Sequence, residues 1–192
     1  MAAYFMLHCS TPIEWEDRAL LRATPLPPGE LSWRSGVSFK TVPIVPIEIE
    51  MQSTHSDRMI QLNKVDALII PKTLLDALRE VGVNNLDVYE TIIRHPKTGF
   101  VTRDYVACNL IGGLVSAVDI AKSNIQVGSS SDHRLDTDFD GLVIDENRTQ
   151  GLLMFRLAEN TSAIVVHESV CKHLESCGFD QLLFIKPEDW VG

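Results

Sequence analysis

The sequence predicts an α+β fold: a mixed or antiparallel sheet carrying two strand–helix–strand units in one compact domain. An internal correspondence and the apolar pattern within it lead to that reading. Ala67 to Tyr89 (ALIIPKTLLDALREVGVNNLDVY) aligns without a gap with Ala163 to Ile185 (AIVVHESVCKHLESCGFDQLLFI), 96 positions further on. Apolar quartets at 67–70 and 163–166 coincide, as do Leu78 with Leu174, Gly82 with Gly178, and Leu86 with Leu182. Repetition of a supersecondary unit constrains architecture more than any single motif. Identities between the copies are few, so true duplication and the chance likeness of two such units both stay open.

Each copy reads as a short buried strand, a helix of two to three turns, a glycine stop and a second strand. Leu68, Ile69 and Ile70 form the first strand, and Pro71 fits at or just before the first helical turn. Leu74, Leu75, Leu78 and Val81 recur at helical spacing, as do Val170, Cys171, Leu174 and Cys177. Gly82 and Gly178 fall where a chain leaving a helix needs a left-handed residue. Leu86 with Val88, and Leu182 with Phe184, then alternate as half-buried strand residues do.

Outside the copies, residues 1–66 are the least regular part. Tyr4 to Cys9 reads as an opening strand, followed by a stretch punctuated by Pro12, Pro25, Pro27, Pro28 and Gly29. Val42 to Met51 alternates in part, and Pro43 and Pro46 mark it as an edge strand or extended segment. The first unit spans 67–93, and HPKTG (95–99) is a turn. Tyr105 to Ile111 is the next strand, broken by Gly112-Gly113. Leu114 to Ile120 continues apolar, and Gly128 to Asp140 is a polar loop. Leu142 to Ile144 and Leu152 to Leu157 are expected to pair across the turn-rich DENRTQG, and the second unit spans 163–185.

Composition narrows the function classes. At 192 residues and 45% hydrophobic, the chain can bury one sizeable core, which favours a single domain over 1–192. Its apolar runs are too short to span a bilayer, and its start lacks the basic and long apolar regions of a signal peptide, so cytoplasmic residence is expected. The net charge is −9 and no Lys/Arg cluster interrupts it, which argues against phosphate-driven nucleic-acid binding and is compatible with a basic protein partner. Cys171 and Cys177 lie on one helix about 9 Å apart along its axis, too far for a disulfide, and no CxxC is present. The four cysteines are therefore read as buried free thiols.

No constellation in the sequence looks like a reagent. DTDFDG (136–141) has the Asp-x-Asp-x-Asp-Gly spacing of a calcium loop, with Asp136, Asp138 and Asp140 as carboxylates. Position twelve is Asn147 instead of a bidentate Glu, so a solvated acidic loop is favoured over a metal site, and no cofactor is expected. His167 and His173, six apart, point to different helix faces. Asp132 and His133 could form a dyad, but SSS (129–131) is no nucleophile elbow, and the phosphate-loop glycines are missing. Trp15 among Glu14, Glu16 and Asp17, and Trp33 in LSWRSG, sit in polar settings; they read either as interface anchors or as lids over a core edge.

Three blocks in order, GVNNLDVYETIIRHPKTG, YVACNLIGGLVSAVDIAKS and LMFRLAENTSAIVVHESVCKHLESCGFDQLLFI, resemble the immunity protein 11 family, formerly the DUF1629 domain. The shared features are the helix with its GV-x-NL-x-x-Y continuation, the Tyr…Asn-Leu-Ile-Gly strand, the Asp119…Ser123 pair, and the closing FRL…helix…Gly…Phe unit. The resemblance runs over roughly residues 30–187 and includes no catalytic signature. It implies a bacterial cytoplasmic antitoxin that neutralises a cognate toxin effector. Such a toxin is commonly a basic nuclease, here expected to be a DNase, delivered by type VI or contact-dependent secretion. An immunity protein of this kind is not an enzyme and touches neither nucleic acid nor membrane itself. The toxin-binding surface is expected on Asp132, Asp136, Asp138, Asp140, Asp145 and Glu146, together with Glu14, Trp15, Glu16 and Asp17. A secretion adaptor or chaperone, and a small hydrolase using the Asp/His loop, are the alternatives.

Overall fold

A computed structural model describes residues 3–10, 17–126 and 137–192. It is α+β, as the sequence predicts, with two mixed sheets and two helices. The strands are β1 (Tyr4–Cys9), β2 (Ile47–Glu50), β3 (Leu68–Pro71), β4 (Leu86–Arg94), β5 (Val101–Thr102), β6 (Tyr105–Leu110), β7 (Leu114–Val115), β8 (Met154–Leu157), β9 (Ile164–His167) and β10 (Leu182–Ile185). The helices are α1 (Lys72–Glu80) and α2 (Glu168–Ser176). The first sheet runs β2-β4-β6-β3, with β5 paired to β4, and the second runs β10-β1-β9-β8-β7.

The two copies fold alike to the residue. Strand, helix and second strand begin at Leu68, Lys72 and Leu86 in one copy and at Ile164, Glu168 and Leu182 in the other. Both helices close by the same bonds: Val83 N to Leu78 O at 2.9 Å, and Phe179 N to Leu174 O at 3.3 Å. Gly82 and Gly178 follow at φ 98° and 81°, a left-handed turn that glycine adopts without steric cost.

In each unit a third strand is inserted, antiparallel, between the two parallel ones. It is β6 between β3 and β4, and β1 between β9 and β10. Flanking bonds agree as well: Lys72 N to Asp104 O is matched by Glu168 N to Ala3 O, and Ile111 N to Asn85 O by Ser10 N to Gln181 O.

Facing the sheets toward each other with both helices between them creates the central core. Leu68, Ile70, Leu74, Leu75 and Leu78 meet Ile164, Val166, Val170, Cys171 and Leu174, with Leu7 and Cys108 at matching places on the inserted strands. The outer face of the second sheet is covered by Phe139, Leu142, Val118 and Trp190. The outer face of the first is covered by Ala19, Leu21, Trp33 and Met51.

Several expectations need correcting. Leu142 to Ile144 does not pair with β8, because Val118 takes Ile144 as its bridge partner while β7 and β9 occupy both edges of β8. Regular pairing of 114–120 stops at Val115. All four cysteines are free, yet only Cys108 and Cys171 are buried; Cys177 is exposed at the end of α2 and Cys9 is half-buried. Burial pushes the thiols of Cys108 and Cys171 up to about 12. Among the described residues no helix is long and apolar enough to cross a membrane.

Candidate functional site

Of the residues singled out from sequence as a binding surface, Asp17, Asp138, Asp140, Asp145 and Glu146 fall among the described residues. Asp132, Asp136, Glu14, Trp15 and Glu16 lie outside the described residues. Asp138 and Asp140 flank Phe139, which is wholly buried against the second sheet. Asp17 lies two residues before Ala19, which packs on the outer face of the first sheet.

The segment holding Asp138 and Asp140 is extended: Phe139 bridges Ile125, and Asp140 bridges Val191. Gly141, at φ 86°, comes so close to Glu188 that a side chain there would sit 2.7 Å from its carbonyl oxygen. This is strand-like backbone pinned on both sides, unlike a loop wrapped around an ion. Among the described residues no group of three or more His, Cys, Asp or Glu could hold a metal.

Asp145 caps a short turn through the amide of Asn147 and pairs with Arg148 at 3.1 Å. Glu146 accepts the Ala3 amide at 3.2 Å. Asp119 and Ser123 have a structural part: the Ser123 hydroxyl donates to the Asp119 carbonyl at 2.7 Å and accepts the Val143 amide at 2.9 Å.

Trp33 proves to be a core residue. It is 1% exposed, its indole N–H donates to the carbonyls of Thr24 and Pro25 at 3.3 and 3.2 Å, and its ring stands edge-on to Phe39 and Tyr89. A buried indole needs such a partner for its N–H, and here the partners come from the very loop it anchors.

That loop, residues 24–46, presents a feature that the sequence reading missed. Leu31, Ile44 and Val42 are 93%, 89% and 76% exposed, and Leu26, Val37 and Val45 are exposed beside them. The Glu30 carboxylate accepts the amides of Lys40 and Thr41 at 2.7 and 3.1 Å, folding the loop back so that Leu31 and Val42 flank the clamp. Leu26, Pro28, Pro43 and Ile44 line one depression together with Glu48 of edge strand β2. Gly36 pins the loop to the rest of the molecule. Its carbonyl accepts the Gly113 amide at 2.7 Å, and a Cβ there would lie 2.6 Å from the Gly113 carbonyl carbon. Isolated exposed apolar residues are ordinary, but several of them on one braced loop make a candidate interaction surface.

A second feature lies where the ends of β1, β8 and β9 meet the segment leading into β3. A cavity of about 200 Å³ there is lined by His8, Arg34, Lys64, Asp66, Arg156 and Ser162. Arg156 is on the inward face of β8, next but one to core residue Met154, and is 2% exposed. One of its guanidinium nitrogens donates to Thr161 O at 2.6 Å, while Nε has no partner among the described residues. Arg34 donates to Val65 O at 2.7 Å and Lys64 to Leu7 O at 3.3 Å.

Among the described residues no carboxylate forms an ion pair with any of these three cations. Burial first, then the charges of Arg156 and Arg34, pulls the Lys64 ammonium down to about 8. Burial, then Arg34, pulls Arg156 down to about 10. Burial and then Lys64 also lower His8. The sequence shows no Lys/Arg cluster because Arg34, Lys64 and Arg156 stand far apart in the chain, and only the fold gathers them. The one local signal is an arginine at an inward position of the alternating strand LLMFRL, where a charge is costly unless used.

No protein-family model matches the chain, and no curated protein sequence matches it. The three sequence blocks quoted above fall on Gly82 through β4 to the turn at Gly99, on β6 through Ser123, and on β8 through β10.

Proposed function

We propose that this chain is an immunity protein that binds a cognate bacterial toxin effector in the cytoplasm and neutralises it by occluding its working surface, with no chemistry of its own. The apolar ridge of Leu26, Leu31, Val42 and Ile44 carries the reading, together with the motif resemblance. Water-exposed leucine and isoleucine at this density favour burial against a partner. The Trp33 anchor and the Glu30 clamp pre-organise the loop, so docking would order little that is not already ordered.

The net charge of −9 supplies the complementary long-range term. A nuclease presents cationic surface to nucleic-acid phosphates, and an acidic inhibitor is steered onto that surface. In this reading the ridge makes the contact, while Asp138, Asp140, Asp145 and Glu146 contribute to steering, as would Asp132, Asp136, Glu14, Glu16 and Asp17.

The product of the neighbouring gene, co-expressed with this chain, tests the proposal. Rescue from killing is expected with the wild-type chain, and it should be lost with Leu31→Asp and Ile44→Asp together while the urea midpoint of the variant stays unchanged. Stable complex formation without rescue would instead favour a secretion adaptor.

A further inference from the structure

We propose that the cleft lined by His8, Arg34, Lys64, Asp66, Arg156 and Ser162 is a binding site for a phosphate group, either free phosphate or a small phosphate monoester. The inference is independent of the toxin reading, because ridge and cleft share no lining residue.

Charge carries the argument. Three cations face a single carboxylate in this cavity, which leaves two positive charges in excess, the complement of a phosphate dianion. Asp66 is itself engaged, its Oδ2 accepting the Thr24 amide at 3.2 Å. The surrounding protein is strongly acidic, yet among the described residues no carboxylate lies within ion-pairing distance of Arg34, Lys64 or Arg156. A buried guanidinium gathered with two half-buried cations and no ion-paired carboxylate is costly, and such an arrangement suits an anionic ligand that supplies the missing charge.

The donors are also suitably arranged. Arg156 is 2% exposed and its buried Nε–H has no acceptor among the described residues. Arg34 and Lys64 each donate one hydrogen bond to a backbone carbonyl, which leaves further N–H groups on each. Guanidinium forks fit phosphate oxygens bidentately, and the lysine adds a point charge. Ser162, whose hydroxyl donates to Asn160 Oδ1 at 2.6 Å, forms wall and is not counted as a donor. A volume of about 200 Å³ holds a phosphate with room for a small organic remainder. A contiguous depression of about 220 Å³ shares His8 and Lys64 and offers an approach.

The test uses the full-length chain in a phosphate-free zwitterionic buffer, titrated calorimetrically with inorganic phosphate. Glycerol phosphate, acetate and chloride at matched ionic strength are the comparison arms. Saturable binding of one phosphate per chain is expected, at least about ten-fold tighter than acetate, which corresponds to about 1.4 kcal/mol. Tighter binding of glycerol phosphate than of inorganic phosphate would assign the site to a monoester, and the reverse to the free ion.

Lys64→Met and Arg34→Gln should each weaken binding by about ten-fold or more without changing the far-ultraviolet circular dichroism, and Lys64→Arg should retain binding. These two positions carry the test because Arg156 is a core position whose replacement would also perturb folding. Equal response to phosphate and chloride, no saturable heat at millimolar phosphate, or unchanged affinity in both variants would overturn the proposal.

Discussion

Ala107 and Met6 occupy the same place in two sheets. Ala107 stands between Ile69 and Tyr89, and Met6 between Val165 and Ile185, with each pair of flanking residues displaced by the same 96 positions. The correspondence therefore extends past the strand–helix–strand segments to the register of a third strand. In one unit that strand follows in sequence as β6, and in the other it is supplied by the N-terminus as β1. The repeat is a scaffold that encloses the central core, while the ridge is built from material outside it and the cleft takes only His8 from its third strand.

If the two units share that core evenly, equivalent truncations should cost alike. Leu78→Ala and Leu174→Ala each remove a buried leucine from the α1–α2 contact and should each lower unfolding free energy by about 2–5 kcal/mol. Urea denaturation of the two variants checks this; a full cost at one site and almost none at the other would deny the shared core.

The bracing of the ridge makes a sharper contrast between two glycines. Gly36 at φ 75° would press a Cβ against the Gly113 backbone, whereas Gly29 at φ 85° has open space around it. Gly29→Ala should cost about 1 kcal/mol of backbone strain, and Gly36→Ala more, about 2–3 kcal/mol, because backbone must also move. Thermal unfolding of both variants measures the difference, and equal midpoints would contradict it.

Trp33 should report on the same loop. Trp33→Ala empties a fully buried site and should cost about 3–5 kcal/mol, while Leu31→Ser at a fully exposed position should change stability by about 0.5 kcal/mol or less. Chemical denaturation of the two variants separates anchor from ridge.

Lys64 gives the cleft a pH signature whose sign follows from its depressed value. In the folded chain it loses its proton near 8, against an ordinary value of 10.5, so between those limits the unfolded state holds more protons. Stability then rises with pH across that window, by up to about 3 kcal/mol in total. Cys108 and Cys171 act oppositely, since their raised values favour the unfolded thiolate above about pH 9. Subtracting the profile of Lys64→Met from that of wild type isolates the lysine. A flat difference between pH 8 and 10 would show that Lys64 is solvated.

Much of the scaffold was legible in the sequence, because it is written locally. Apolar spacing at Leu74, Leu75 and Leu78, and glycine at 82 and 178, specify helix and stop within a few residues. The pairing of β1 with β9 and β10 was not legible, since nothing near Tyr4 to Cys9 names partners more than 150 residues away. Trp33 misleads because its neighbours are polar while its ring is covered by Phe39 and Tyr89. Leu31 and Ile44 were passed over because isolated apolar residues in a loop carry no periodic signal, and the cleft escaped because its cations meet only in the folded chain.

The most direct measurement is the dissociation constant between this chain and the protein encoded by the neighbouring gene, for wild type and for Leu31→Asp with Ile44→Asp. The account predicts saturable binding by the wild type, weakened in the variant by about 100-fold or more, which corresponds to about 2.7 kcal/mol. Binding of equal strength by both proteins would remove the ridge from the interface, and no binding by the wild type would contradict the immunity function itself.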